Sequence, residues 1–117
     1  MIYNIAVFKL KNNKYFLKCT KDMKNLSNNI LIKNNYNEKW LYLYKPIYIQ
    51  NLYHKTTSNV NINDYTINYM KQYGINNVRG GKYINPILNK DEIKEIKENI
   101  FKQHNIKILP GIYYKLK

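Results

Sequence analysis

At 117 residues the chain is long enough for one hydrophobic core and short for two, and its 44% hydrophobic and 15% aromatic content excludes a disordered chain. Twenty Lys and Arg against seven Asp and Glu give a net charge of +13. That excess makes an anionic partner such as a phosphate backbone the leading expectation, although an A/T-rich genome would favour the same Lys, Asn, Ile and Tyr content.

The single cysteine, Cys19, excludes an internal disulfide, and His54 and His104 stand too far apart to form a zinc-ligand pattern. No apolar run approaches the roughly 18 residues that cross a bilayer, and no charged-then-apolar leader is visible. The expectation is an intracellular protein without a membrane partner, in the cytoplasm or nucleus. Thirteen tyrosines supply much of the apolar content, so a core built from them needs hydroxyl partners at its rim.

From Met1 to Leu10 the sequence is apolar on both faces at Ile5, Ala6, Val7 and Phe8, as in a strand covered on both sides. Asn12-Asn13 interrupts it with two residues that tolerate positive φ, and Lys14 to Thr20 resumes strand character, which predicts a β-hairpin. On the second strand Tyr15, Leu17 and Cys19 point one way, and Lys14, Phe16 and Lys18 the other. Cys19 on that apolar side reads as a small core residue, not a nucleophile.

Asp22 can cap a short helix carrying Met23, Leu26 and Ile30 at helical spacing, and Asn34-Asn35 ends it. Trp40 to Leu52 is aromatic and β-branched, with Pro46 suited to open a third strand over 47–52. Trp40, Tyr42, Tyr44 and Tyr48 can stack on bases, or form core or a subunit interface. His54 to Asn59 is polar and reads as a loop.

The stripe Ile62, Tyr65, Tyr69, Met70 and Tyr73 predicts a helix, with Asn61 or Asn63 competent to cap it and Gly74 followed by Ile75 to end it. Residues 76–81, with Gly80-Gly81, read as a loop. A last helix is expected from about Asp91 to Gln103, opened by a capping box of Asn89 and Glu92 and burying Ile93, Ile96 and Ile100. Residues 1–104 thus form one α/β (α+β) domain, a small three-stranded antiparallel sheet flanked by about three helices. Residues 105–117 are expected to add a short strand or a tail.

The segment Tyr65 to Gly81, in which Tyr73-Gly74-Ile75-Asn76-Asn77-Val78-Arg79-Gly80-Gly81 closes the helix, resembles the GIY-YIG nuclease family, specifically GIY-YIG-like proteins of large DNA viruses. Leu10 to Phe16 resembles the family's first hairpin, and Trp40 with Tyr44-Lys45-Pro46-Ile47 the lead-in to its third strand. Together the matches span residues 3–101.

The resemblance implies a phosphodiester-cleaving site with one divalent metal on a glutamate, a tyrosine that helps deprotonate water, and an arginine that faces the phosphate. Such chemistry needs a hard oxygen ligand, a proton acceptor and a fixed cation. Carried over by position, the first-strand triplet falls on Asn4-Ile5-Ala6, so Ala6 stands for its tyrosine. The second-strand triplet falls on Phe16-Leu17-Lys18, where the phenol and the glycine are both lost. Leu26 stands at the arginine position, with Lys24 the nearest cation, and Ile62 and Asn63 meet the glutamate, with Asp64 nearby.

The resemblance therefore implies a pseudoenzyme with no catalytic residue, metal or other cofactor. Its remaining candidates for nucleic-acid contact are Lys9, Lys11, Lys14, Lys18, Lys21, Lys24, Arg79 and Lys82, because these regions surround the family's nucleic-acid face. Arg79 has a second reading, in which it hydrogen-bonds carbonyls to pin its loop. The expected function is non-catalytic nucleic-acid binding. The alternatives are a structural or accessory subunit of a larger viral complex or particle, and residual metal-dependent cleavage.

Overall fold

The computed structural model describes residues 3–55 and 62–102. The expected cap at Asn61, most of the expected loop before it, His104 and the segment 105–117 lie outside the described residues.

The first hairpin forms as the Asn pair predicts. Strand β1 (Tyr3–Leu10) pairs antiparallel with β2 (Lys14–Thr20), from Asn4 opposite Thr20 to Leu10 opposite Lys14. Between them Asn12 and Asn13 take φ of 62° and 57°, the left-handed region that Asn enters at lower cost than most residues. Strand β3 (Pro46–Lys55) pairs antiparallel with the other side of β1. It runs further than expected, so His54 is a strand residue whose ring bonds the Asn4 side chain across the ladder at 2.6 Å.

Among the described residues the sheet has four strands in the order β3-β1-β2-β4, and it is mixed, not three-stranded and antiparallel. The added strand β4 (Val78–Gly80) lies within the segment expected to be a loop and pairs in parallel with β2. Gly80 makes this possible: a Cβ there would lie 2.8 Å from the Leu17 carbonyl oxygen and 2.8 Å from Thr66 Oγ1. The missing side chain lets two backbones and a helix meet.

Helices cover both faces. Helix α1 (Met23–Ser27), capped by Asp22 on the Asn25 amide at 3.0 Å, runs on as a π-helical turn over Asn28–Ile32 and ends where Asn34 takes φ of 51°. Residues Lys39–Leu43 form a second short helix, α2, where strand-like aromatic sequence was expected. Five residues suffice to bury Trp40 and Leu41 with Ala6, Phe8, Leu10, Phe16, Ile30 and Ile49 in one core cluster.

The opposite cluster gathers Ile5, Val7, Tyr15 and Leu17 under α3 (Ile62–Tyr73) and α4 (Lys90–Lys102). Here the alternation read from β2 holds, with Tyr15 and Leu17 on this side and Phe16 on the other. Helix α3 ends at Gly74, whose φ of 103° only glycine adopts freely, and Ile75 packs against the core after it. The capping box of α4 closes reciprocally, Glu92 N–H to Asn89 Oδ1 at 2.8 Å and Asn89 N–H to Glu92 Oε1 at 3.1 Å.

Tyrosine hydroxyls find the rim partners their number demands. Tyr69 OH accepts from Asn51 Nδ2 at 2.5 Å and bonds Tyr53 OH at 2.6 Å, while Tyr83 OH donates to Glu95 at 2.5 Å. Burial first, then the bonds to Tyr53 and Glu95, push the Tyr69 and Tyr83 phenols far above the ordinary tyrosine range, with the Asn51 amide opposing the shift at Tyr69.

Replacing Gly80 with alanine tests the parallel pairing directly. The added methyl meets backbone on one side and a helix on the other, so Gly80→Ala is expected to cost about 1–3 kcal/mol in urea-induced unfolding. An unchanged unfolding midpoint would show that β4 is not held against β2 as described.

Candidate functional site

The positions that match the nuclease pattern do not all converge. Phe16, Ile62 and Asn63 line an open cleft of about 480 Å³ together with Leu17, Lys18, Cys19, Glu38, Gly81, Lys82 and Ile84. Ala6 lies fully buried in the α1–α2 core cluster, and Leu26 packs against the same cluster.

The cleft's polar groups are committed to one another. Lys18 Nζ pairs with Glu38 Oε1 at 2.8 Å, and the second Glu38 oxygen is buried without a hydrogen-bond partner, so this carboxylate depends on Lys18 for compensation. Asn63 Oδ1 accepts the Lys82 backbone N–H at 2.9 Å, and the Lys82 ammonium pairs with Glu95. Lys82 and the Tyr83 hydroxyl hold the Glu95 carboxyl below its usual range. Burial raises the Cys19 thiol above its ordinary value, a shift that favours the thiol over the nucleophilic thiolate.

A divalent metal needs several hard oxygen ligands. Among the lining residues the one carboxylate, Glu38, is ion-paired, and the Asn63 amide oxygen already accepts a hydrogen bond. Ile62, at the position of the family's glutamate, offers no donor atom. No group of three or more His, Cys, Asp or Glu that could hold a metal lies among the described residues. The cleft therefore does not fit the metal that the nuclease resemblance implies.

Arg79 corrects the expectation that it faces phosphate. It is 2% exposed. Its Nε donates to Asn85 O at 2.8 Å, one terminal nitrogen to Ile75 O at 2.6 Å and Val78 O at 2.7 Å, and the other to Pro86 O at 2.9 Å. The guanidinium carbon lies 4.4 Å from the ring centroid of Trp40, whose indole N–H donates to Tyr15 O at 3.0 Å. Burial lowers its pKa from the ordinary arginine value, with Glu92 and Tyr44 pulling in the opposite direction. The second of its two sequence readings, as a pin for the backbone, is the one the structure supports.

The other lysines fall at two ends of the sheet. Lys21 and Lys24 are exposed beyond the Thr20 end of β2, with Lys21 Nζ 5.2 Å from the Tyr3 ring centroid. Lys9, Lys11 and Lys14 surround the hairpin turn at the other end, six ladder pairs away, about 20 Å at strand rise. There Lys9 Nζ donates to Asn13 Oδ1 at 3.1 Å and Tyr15 OH at 2.8 Å. Lys14 Nζ donates to Asn77 Oδ1 at 2.7 Å and Asn76 O at 3.3 Å, and Asn77 Nδ2 in turn donates to Tyr73 O at the end of α3.

Sequence reasoning did not single out Lys45, yet the Lys11 backbone N–H donates to its carbonyl at 3.0 Å and brings it to the same end. Only the fold could reveal that proximity. Tyr48, opposite Lys9 in the β1–β3 ladder, stays 39% exposed beside these cations.

Arg79→Lys keeps a positive charge but cannot reproduce a planar fork with four bonds, and is expected to cost about 2–4 kcal/mol in denaturant unfolding. Whatever affinity the parent has for nucleic acid should survive in the folded variant; a selective loss of binding at unchanged stability would restore the phosphate-facing role. Comparison with protein-family models, with curated proteins and with solved structures finds no match to this chain.

Proposed function

We propose that this protein binds nucleic acid without cleaving it, through surface lysines carried on a degenerate GIY-YIG-like domain. The observation that carries the reading is the placement of charge. None of the four strands contains an Asp or Glu, and four of the seven acidic residues, Asp91, Glu92, Glu95 and Glu98, lie in α4. Basic side chains on the sheet therefore face no carboxylate from their own or a neighbouring strand, and a polyanion supplies the missing charge.

Absence of catalysis is supported by the cleft chemistry. Its carboxylate is neutralised, its amide oxygen is occupied and no phenol replaces the family's tyrosine at Phe16. Removing one preorganised charge-stabilising group from such sites typically costs about a hundredfold or more in rate, and here the set is replaced together.

A second reading, an accessory subunit of a larger assembly, is favoured by a different observation. Tyr42, Leu43 and Ile47, clustered in sequence where α2 leads into β3, are 67%, 60% and 51% exposed. Exposed apolar groups so close together suit burial by another protein.

Titration of labelled DNA and RNA separates the readings. Nucleic-acid binding predicts an affinity that falls about a hundredfold between about 50 and about 200 mM salt, as expected for some four phosphate contacts. Affinity no better than that of an unrelated basic protein of equal charge overturns it. Plasmid incubated with magnesium or manganese should remain intact; cleavage that Asp64→Ala abolishes would show that the site is active after all.

A further inference from the structure

We propose that the phosphate backbone is contacted by the tip of the β1–β2 hairpin, by Lys9, Lys11, Lys14 and Lys45, and not by the cleft at the family's catalytic positions. The inference rests on the reading of the protein as a nucleic-acid binder and assigns that binding to a face.

Charge compensation decides between the two surfaces. In the cleft, Lys18 is paired with Glu38 and Lys82 with Glu95, so each cation already has an anion. Arg79, close in sequence, is buried and spends its donors on carbonyls. A phosphate arriving there would have to displace a carboxylate or remain unpaired.

At the tip the acceptors are neutral. Lys9 is held by an amide oxygen and a phenol, Lys14 by an amide oxygen and a backbone carbonyl. An ammonium has three N–H donors. Two are held by these acceptors, and Lys9 Nζ also lies 4.3 Å from the Tyr15 ring centroid and Lys14 Nζ 5.2 Å from that of Tyr44, so every partner named here is neutral and the full positive charge persists. The ordering is done before a ligand arrives, which lowers the entropy lost when a long side chain binds.

Lys11, with the whole turn Lys11–Asn13, is exposed, and Lys45 is exposed beside it. Residues 1–21 contain no Asp or Glu, nor do residues 39–63, so the two segments that meet at the tip contribute no competing carboxylate of their own.

Three variants, compared with the parent by fluorescence anisotropy on a labelled duplex across a salt series, test the assignment. One carries Lys9→Gln, Lys11→Gln, Lys14→Gln and Lys45→Gln. The second removes the same net charge elsewhere through Lys33→Gln, Lys90→Gln, Lys94→Gln and Lys97→Gln, all exposed positions. The third carries Lys18→Gln and Lys82→Gln.

The tip variant should reduce the slope of log affinity against log salt by about 3.6, near 0.9 for each of its lost phosphate contacts, and bind at least about tenfold more weakly than the charge-matched variant. Equal losses in the tip and charge-matched variants would overturn the assignment, as would a larger loss from the cleft pair; either leaves nucleic-acid binding itself standing. A parent that fails to bind sinks both. If circular dichroism shows the quadruple tip variant unfolded, Lys11→Gln and Lys45→Gln singly decide the matter, each expected to lower the slope by about one. Arginine at all four tip positions should restore the parent's slope.

Discussion

The Arg79 guanidinium is the contact on which the two halves of this molecule depend. Taking a cation out of water is costly, and the cost is offset here by hydrogen bonds to four carbonyls and by the face of Trp40. Those carbonyls belong to the turn before β4, to its first residue Val78 and to the bend after it, so one side chain fixes the approach and the exit of a three-residue strand. Trp40 belongs to α2 and bonds to β2. Through that indole the same cation joins the helix on one face of the sheet to its parallel edge.

The parallel pairing of β4 with β2 would be hard to sustain otherwise. Three ladder pairs give little cooperative stability, and parallel strands need a long crossover, here the chain from β2 to β4. Gly80 allows the close approach and Arg79 holds it. The glycine-rich segment that suggested a loop therefore serves as an element because a buried charge organises the carbonyls around it.

How much of this was legible in the sequence follows from how local each interaction is. The Asn12-Asn13 turn, the Asp22 cap, the Gly74 stop and the Asn89–Glu92 box each involve residues within a few positions of one another, and all are found in the structure. What escaped were features set by distant partners. Trp40 to Leu43 has strand-like composition, yet the burial of Trp40 against Arg79 and Tyr15 holds it as one helical turn. Strand β4 needs β2, 63 residues earlier by register, to exist at all. The cleft was partly legible: Phe16, Ile62 and Asn63 do meet, but Ala6 and Leu26 belong to the core, and the pairing of Lys18 with Glu38 joins residues that no spacing rule connects.

One irregularity in β3 has a consequence for how the molecule meets others. Its ladder to β1 slips between Val7 and Phe8 and again between Lys9 and Leu10, and the first slip inserts Gln50 so that both Gln50 and Asn51 reach tyrosines of α3. A strand bulged twice in ten residues is twisted away from the flat geometry that another strand could copy, and at the opposite edge β4 is too short to serve as a template. Among the described strands neither border of the sheet invites fibrillar stacking or the exchange of strands between copies. For a domain with so many aromatic and β-branched residues, both described edges are poor templates for pairing with another chain.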